Sequence, residues 1–170
     1  MGADYLKTLP RETLEGMLVD FAKNWLAHDG LWFQAVEKAT DMETAIRLDT
    51  DAWEWFTKIE AKRIMLRHGI EPNGGLDALK KALGFRLYAV LNEQTITEET
   101  ENSFVFKMVD CRVQSARKRK ELPPFPCKSV GIVEYTEFAK TIDPSIKTEC
   151  IACPPDKEER DFYCGWKFSI

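Results

Sequence analysis

SFVFKMVDCRVQS, residues 103–115, is where the period of the chain changes. Phe104, Phe106 and Met108 alternate with Val105, Lys107, Val109, Cys111 and Val113, a period of two that predicts one long strand over the whole stretch. Everything before it repeats at three to four residues. The fold is decided at that change. A helical segment, residues 1–92, precedes a mixed segment, residues 93–170, and both belong to one domain of 170 residues.

Working back from that point, Leu76, Leu79, Leu83, Leu87 and Leu91 form one apolar stripe and predict a helix over about 76–91. Gly84 within it costs roughly 1 kcal/mol relative to alanine and can bend or end it. Pro72-Asn73-Gly74-Gly75 is a turn. Trp53, Phe56 and Ile59 predict the buried face of a long helix that ends at His68-Gly69. Its start is assigned to Asp49, Thr50 or Asp51, all of them capping residue types. Thr40-Asp-Met-Glu43 has the spacing of a capping box and predicts a separate short helix. Leu14, Leu18, Phe21 and Trp25 predict an amphipathic helix over 11–28, broken at His28-Asp29-Gly30. A further helix then turns Trp32, Val36 and Ala39 inward.

Working forward, the loop ELPPFP leads to a helix over 127–142 with Val130, Val133, Phe138 and Ile142 apolar. Strands at about 146–152 and 160–169 flank the turn PPDKEE. The expected fold is α+β: a layer of four to five N-terminal helices on a small antiparallel sheet, with one β-α-β-β unit at the C-terminus.

Composition narrows the function. Charged residues make up 31% of the chain and the net charge is −4, which argues against nucleic acid and against anionic membrane as partners. The basic run from Arg112 to Lys120 reads as a solvated element. No apolar run approaches the roughly 20 residues that span a bilayer, and the first residues carry no signal-peptide pattern, so a cytoplasmic location is expected. All five cysteines, Cys111, Cys127, Cys150, Cys153 and Cys164, lie in the last 60 residues. An odd count in a chain of this kind points to reduced thiols.

Cys150-Ile-Ala-Cys153 has the spacing at which two thiolates chelate one ion. With Cys164 on the return strand and Cys127 just before a helix, it predicts a thiolate site for Zn2+ or iron. A thioredoxin-type pair at Cys150 and Cys153 is rejected, because a strand running into Pro154-Pro155 offers no helix field to lower a thiol pKa. Cys127 is the candidate nucleophile, since a helix N-terminus favours its thiolate, although nothing places His28 or His68 beside it. Glu60 is expected to pair with Arg63 or Arg67 or to face a pocket, and Trp32, Trp53 and Trp55 are candidates to line one. Asp29, Glu60 and His28 form an alternative oxygen-nitrogen metal set.

Three segments carry a resemblance: HDGLWFQAVEKATDMETAIRLDTDAWEWFTKIEAKRI, CRVQSARKRKELPPFPCKSVGIVEYTEFA and IKTECIACPPDKEERDFYCGWKF. Over nearly its whole length the chain resembles a family of small, mostly uncharacterised bacterial and archaeal cytosolic proteins. Its cysteine-bearing half is similar in layout to the L-2-aminothiazoline-4-carboxylate hydrolase-like proteins, and more remotely to vinyl-4-reductase-type ligand-binding domains. The latter similarity implies a small-molecule-binding module with zinc on Cys127, Cys150 and Cys164, and Cys153 in addition. The former implies opening of a small cyclic amide or amidine. The expected function is therefore a metal- and small-ligand-binding domain. The alternatives are a hydrolase that uses Cys127 or a metal-bound hydroxide, and a metal-free interaction protein, dimeric through exposed aromatics.

Overall fold

The computed structural model describes residues 3–170. A short helix α1 (Ala3–Leu6) leads to two long helices, α2 (Arg11–Ala39) and α3 (Met42–His68). They are joined by a two-residue hinge. The Thr40 N–H and hydroxyl both donate to the Val36 carbonyl, and the Asp41 carboxylate accepts from the Thr44 N–H at 2.7 Å. Asp41, not Thr40, is thus the N-cap.

Two expected breaks do not occur. Helix α2 runs straight through His28-Asp29-Gly30, and α3 runs through Asp49-Thr50-Asp51. A single glycine costs a helix about 1 kcal/mol, too little to stop one that continues with favourable turns on both sides. Helix α3 does end at Gly69, in the left-handed conformation at φ 58°.

The turn at 72–75 is tied to the far end of the chain. Asn73 donates to the Ile142 carbonyl, and Gly75 donates to the Asp143 carboxylate at 3.0 Å. Helix α4 (Gly75–Leu83) then ends at Gly84, and α5 (Leu87–Leu91) follows as a separate short element.

The predicted long strand is two things. Strand β2 (Ser103–Met108) is paired with β1 (Gln94–Thr97), a strand the pattern did not announce. After Met108 the chain turns and Cys111 becomes the N-cap of α6 (Arg112–Arg119). Alternation over 109–115 is a coincidence of composition, because from Arg112 on the chain is helical and buries Gln114 and Arg117 at helical spacing. Helix α7 (Lys128–Ile142), strand β3 (Lys147–Ala152) and strand β4 (Cys164–Ser169) complete the fold. The sheet is antiparallel throughout, in the order β1-β2-β4-β3, so the C-terminal part is β-β-α-α-β-β in place of the expected β-α-β-β. The α+β class stands, with helices followed by a small antiparallel sheet.

One core joins both segments. Phe104, Phe106 and Met108 of β2 and Trp166 and Phe168 of β4 meet Tyr135, Phe138 and Ile142 of α7, which in turn packs on Trp53, Ala61 and Ile64 of α3. A buried hydrogen bond from the Thr57 hydroxyl to the Glu134 carbonyl, 3.1 Å, stitches α3 to α7. Arg86 lies in the same interior, 2.9 Å from Glu60 and 2.6 Å from Glu134, over the faces of Phe138, Tyr135 and Tyr88.

Helix α2 departs furthest from expectation. Leu18 and Phe21 are 63% and 61% exposed, and Ala22 is its one buried residue. Trp32 and Trp55 are each 69% exposed, and Ile59 of α3 also faces outward. Trp25 and Leu26, not the Leu18–Phe21 stripe, reach the core. No helix among the described residues is long and apolar enough to cross a membrane.

Candidate functional site

A cavity of about 250 Å³ lies where α2, α3 and α5 meet α6, α7 and the ends of β2 and β4. Its lining is chemically divided. One wall holds the thiols Cys111, Cys127, Cys153 and Cys164. The other holds the carboxyls Asp29, Asp49 and Glu134, with Trp53 and Tyr88. Helix α7 contributes to both, Cys127 at its start and Glu134 two turns later, about 10 Å along the axis.

The thiol wall is assembled by backbone contacts. Lys128 N–H donates to the Pro154 carbonyl, and the Lys128 ammonium pairs with Asp156 at 2.9 Å. Asp156 in turn accepts from the Cys153 N–H at 3.1 Å. These bonds hold the turn after β3 against the N-terminus of α7 and set the Cys127 and Cys153 sulfurs 3.4 Å apart. On the other side, the buried Gln114 amide clamps the preceding loop. It donates to the Phe125 carbonyl at 2.8 Å, accepts from the Phe125 N–H at 3.0 Å, and lies 3.6 Å from the Cys127 sulfur.

Cys127 is the N-cap of α7. The hydrogen bond from Cys153 holds its pKa below the ordinary thiol value; burial opposes this, and the Gln114 amide adds to the lowering. Cys153 is pushed up, first by that same interaction and next by its hydrogen bond with Cys164. Cys127 is therefore the more acidic thiol of the pair. Burial pushes the Cys111 thiol up to about 12, so it remains protonated.

The carboxyl wall is short of counter-charge. Burial pushes Asp49 up to about 7, and the neighbouring Asp29 and Glu134 carboxylates add to the shift. Asp29 is raised by burial, which its exposed neighbour His28 offsets in part. Glu134 is also raised by burial despite Arg86. The Arg86 contact to Glu134 Oε1 lies off the N–H direction, an ion pair without a directed hydrogen bond. For Arg86 burial acts to lower the pKa, but Glu134 and Glu60 outweigh it and the guanidinium stays charged.

Of the residues singled out in the sequence, Cys127, Cys153 and Cys164 come together here, and Trp53 lines the cavity. Cys150 lies opposite Trp166 on β4, beyond the cavity, where burial raises its pKa and the nearby Lys128 lowers it. Cys111 comes to the thiol wall instead. Trp32 points to solvent, and Glu60 pairs with Arg86 rather than with Arg63, Arg67 or a pocket. Asp29 reaches the cavity but Glu60 and His28 do not, so the oxygen-nitrogen metal set is not gathered. Among the described residues no three His, Cys, Asp or Glu side chains are arranged to hold a metal ion.

Gln114, Tyr88 and Glu134 were missed. Gln114 sits in a basic run, Glu134 on an amphipathic helix among other acids, and Tyr88 on a leucine stripe. None of these carries a local signal. In the sequence Asp49 reads only as a candidate helix cap; because α3 runs through it, its carboxyl is left to line the cavity.

A family model described as "Family of unknown function (DUF6125)" matches residues 7–170, and the chain belongs to that family. No curated protein matches it.

Proposed function

We propose that the protein binds a small organic molecule in this cavity and acts on it through the Cys127 thiolate. The observation that carries the reading is the position of Cys127. It stands at the N-cap position of α7, lies within hydrogen-bond distance of Cys153 and Gln114, and opens on a cavity whose far wall holds carboxyls raised by burial, Asp49 up to about 7. A thiol lowered beside acids raised is the division of labour that nucleophilic catalysis requires. The layout similarity to the hydrolase-like proteins suggests the reaction class, opening of a C–N bond in a small cyclic amide or amidine. The thiolate would attack the ring carbon, the C–N bond would break, and Asp29 or Asp49 would hand the leaving nitrogen its proton. Water would then release the acyl or amidino group from sulfur.

One observation supports a second reading. Cys153 interacts with both Cys127 and Cys164, so three sulfurs share one corner of the cavity. Zn2+ or iron on those three would require their side chains to turn toward a common centre, which they do not share as they stand, and would then keep a fourth position toward the cavity.

Alkylation decides between them. In protein purified anaerobically without chelator, Cys127 should react with iodoacetamide at pH 7 faster than a free thiol, and Cys153→Ala should slow it. Sluggish alkylation with about one equivalent of metal by elemental analysis would replace the thiol reading with the metal one. Sluggish alkylation without metal would defeat both.

A further inference from the structure

We propose that the carboxyl wall of the cavity binds the positively charged end of a small organic molecule, an ammonium group on a flat ring-shaped body. The inference rests on the preceding reading only in placing the ligand in the same cavity.

Asp29 and Asp49 line the cavity from two different helices, and neither has an ion-pair partner among the described residues. The buried guanidinium nearby, Arg86, is already shared between Glu60 and Glu134. The other buried guanidinium, Arg117 of the lining, is paired with Glu37, so neither buried cation is paired with Asp29 or Asp49. Lys23, Arg112 and Arg119 also line the cavity, but they are exposed and stand at its rim.

A second observation points to a ligand. Tyr88 is 9% exposed, lines the cavity, and its hydroxyl makes no hydrogen bond with any described residue. The hydroxyl itself is not fully buried and is free to bond a ligand in the cavity that the ring lines. Tyr88 stacks on Trp53, with ring centroids 6.1 Å apart, so two aromatic rings border the same space as Asp29 and Asp49, whose carboxyls have no ion-pair partner and of which Asp49 takes a hydrogen bond from the Trp53 side chain. Aromatic faces and carboxylates attract the same ligand, an organic cation. A carboxylate or hydroxyl at the other end of that ligand would meet the basic rim.

Without a ligand, the surplus negative charge is relieved by protons, which explains why Asp49 titrates near neutrality. A bound cation would take the place of the proton.

Benzylammonium, benzyl alcohol and benzoate have nearly the same size and differ in charge. Their binding to the full chain is measured by calorimetry at pH 8. Benzylammonium should bind at least about tenfold more tightly than benzyl alcohol, and benzoate should bind more weakly than either. Asp49→Asn should remove the preference, whereas Asp161→Asn, an exposed carboxylate away from the cavity, should leave it intact. Equal affinity for cation and alcohol, a preference that survives Asp49→Asn, or no binding of benzylammonium at millimolar concentration overturns the proposal. The charge series on the unaltered protein decides the matter even if the variant does not fold.

Iodoacetamide reactivity of Cys127 in the same preparation separates this from the preceding reading. Benzylammonium bound beside a sluggish thiol removes the thiol chemistry and leaves the cation site. A fast thiol with no preference for the cation does the reverse.

Discussion

Helices α2 and α7 both line the cavity, yet they are held in opposite ways. Helix α7 has 15 residues and buries seven, Val130, Gly131, Glu134, Tyr135, Phe138, Ala139 and Ile142. Helix α2 has 29 residues and buries Ala22 alone. Gly131 on α7 exists because Trp166 lies against it; a Cβ there would come within 2.7 Å of the indole. Gly16 and Gly30 on α2 face open space. The comparison teaches that helix length says little about where a fold is anchored. A short helix between sheet and helical layer carries the core and both poles of the cavity, while the longest helix closes one side of it through Trp25, Leu26 and Asp29.

The strongest way to break this contrast is to disturb the interior around α7. Replacing Arg86 by Met leaves Glu60 and Glu134 without their buried partner and should cost about 3–5 kcal/mol in urea unfolding. A loss below about 1 kcal/mol would show that the acids are solvated and that the α7 interior is not closed.

A second effect concerns pH. Asp49, Asp29 and Glu134 bind protons more tightly folded than unfolded. Their contribution to stability is therefore full below the ordinary carboxyl range and is lost as pH rises through about 7, the folded value of Asp49. Between pH 4 and pH 8 the decline should be on the order of 2–4 kcal/mol. Asp41, Asp143 and Asp156 are lowered and destabilise the fold only at more acidic pH. Thermal unfolding across that range should show Tm falling toward pH 8, and Asn at position 49 should flatten the slope. A Tm that rises from pH 5 to 8 would contradict the burial of these acids.

Glycines test the contrast directly. Gly131→Ala should destabilise by about 1–3 kcal/mol as Trp166 is displaced. Gly16→Ala, on the open face of α2, should stabilise by about 1 kcal/mol. Two shifts of the same sign would mean that the helices are packed alike. Smallest of all, Phe21→Gln should change stability by no more than about 0.5 kcal/mol, because Phe21 leaves little water when the chain folds.

The pattern of α7 was legible because its burial is one-sided and dense, so Val130, Phe138 and Ile142 repeat at the helical period. The pattern of α2 misled because Leu14, Leu18, Phe21 and Trp25 have the same spacing, and periodicity does not record whether a partner covers the stripe. The long strand failed for a related reason. Alternation in 109–115 is satisfied by either period over so few residues, and the turn at Asp110 decided for a helix. Strand β1, four residues with no apolar alternation of its own, owes its place to its pairing with β2.

By itself the sequence determined the class of the fold, the position of the period change, the turns at Gly69 and at 72–75, the place of Cys127 at the N-terminus of α7, and the restriction of thiols to the last 60 residues. These are local properties, carried by backbone preference and by the spacing of neighbours along the chain. The tertiary structure decided that Cys153 meets Cys127 rather than acting with Cys150, that Cys111 joins them, and that Asp29, Asp49 and Glu134 face the thiols across one cavity. Those residues are as many as 124 positions apart, from Asp29 to Cys153. What draws them together is the packing of α3, α7 and the sheet around a shared core, and no spacing within a helix or strand encodes which distant side chains such packing leaves facing the same empty space.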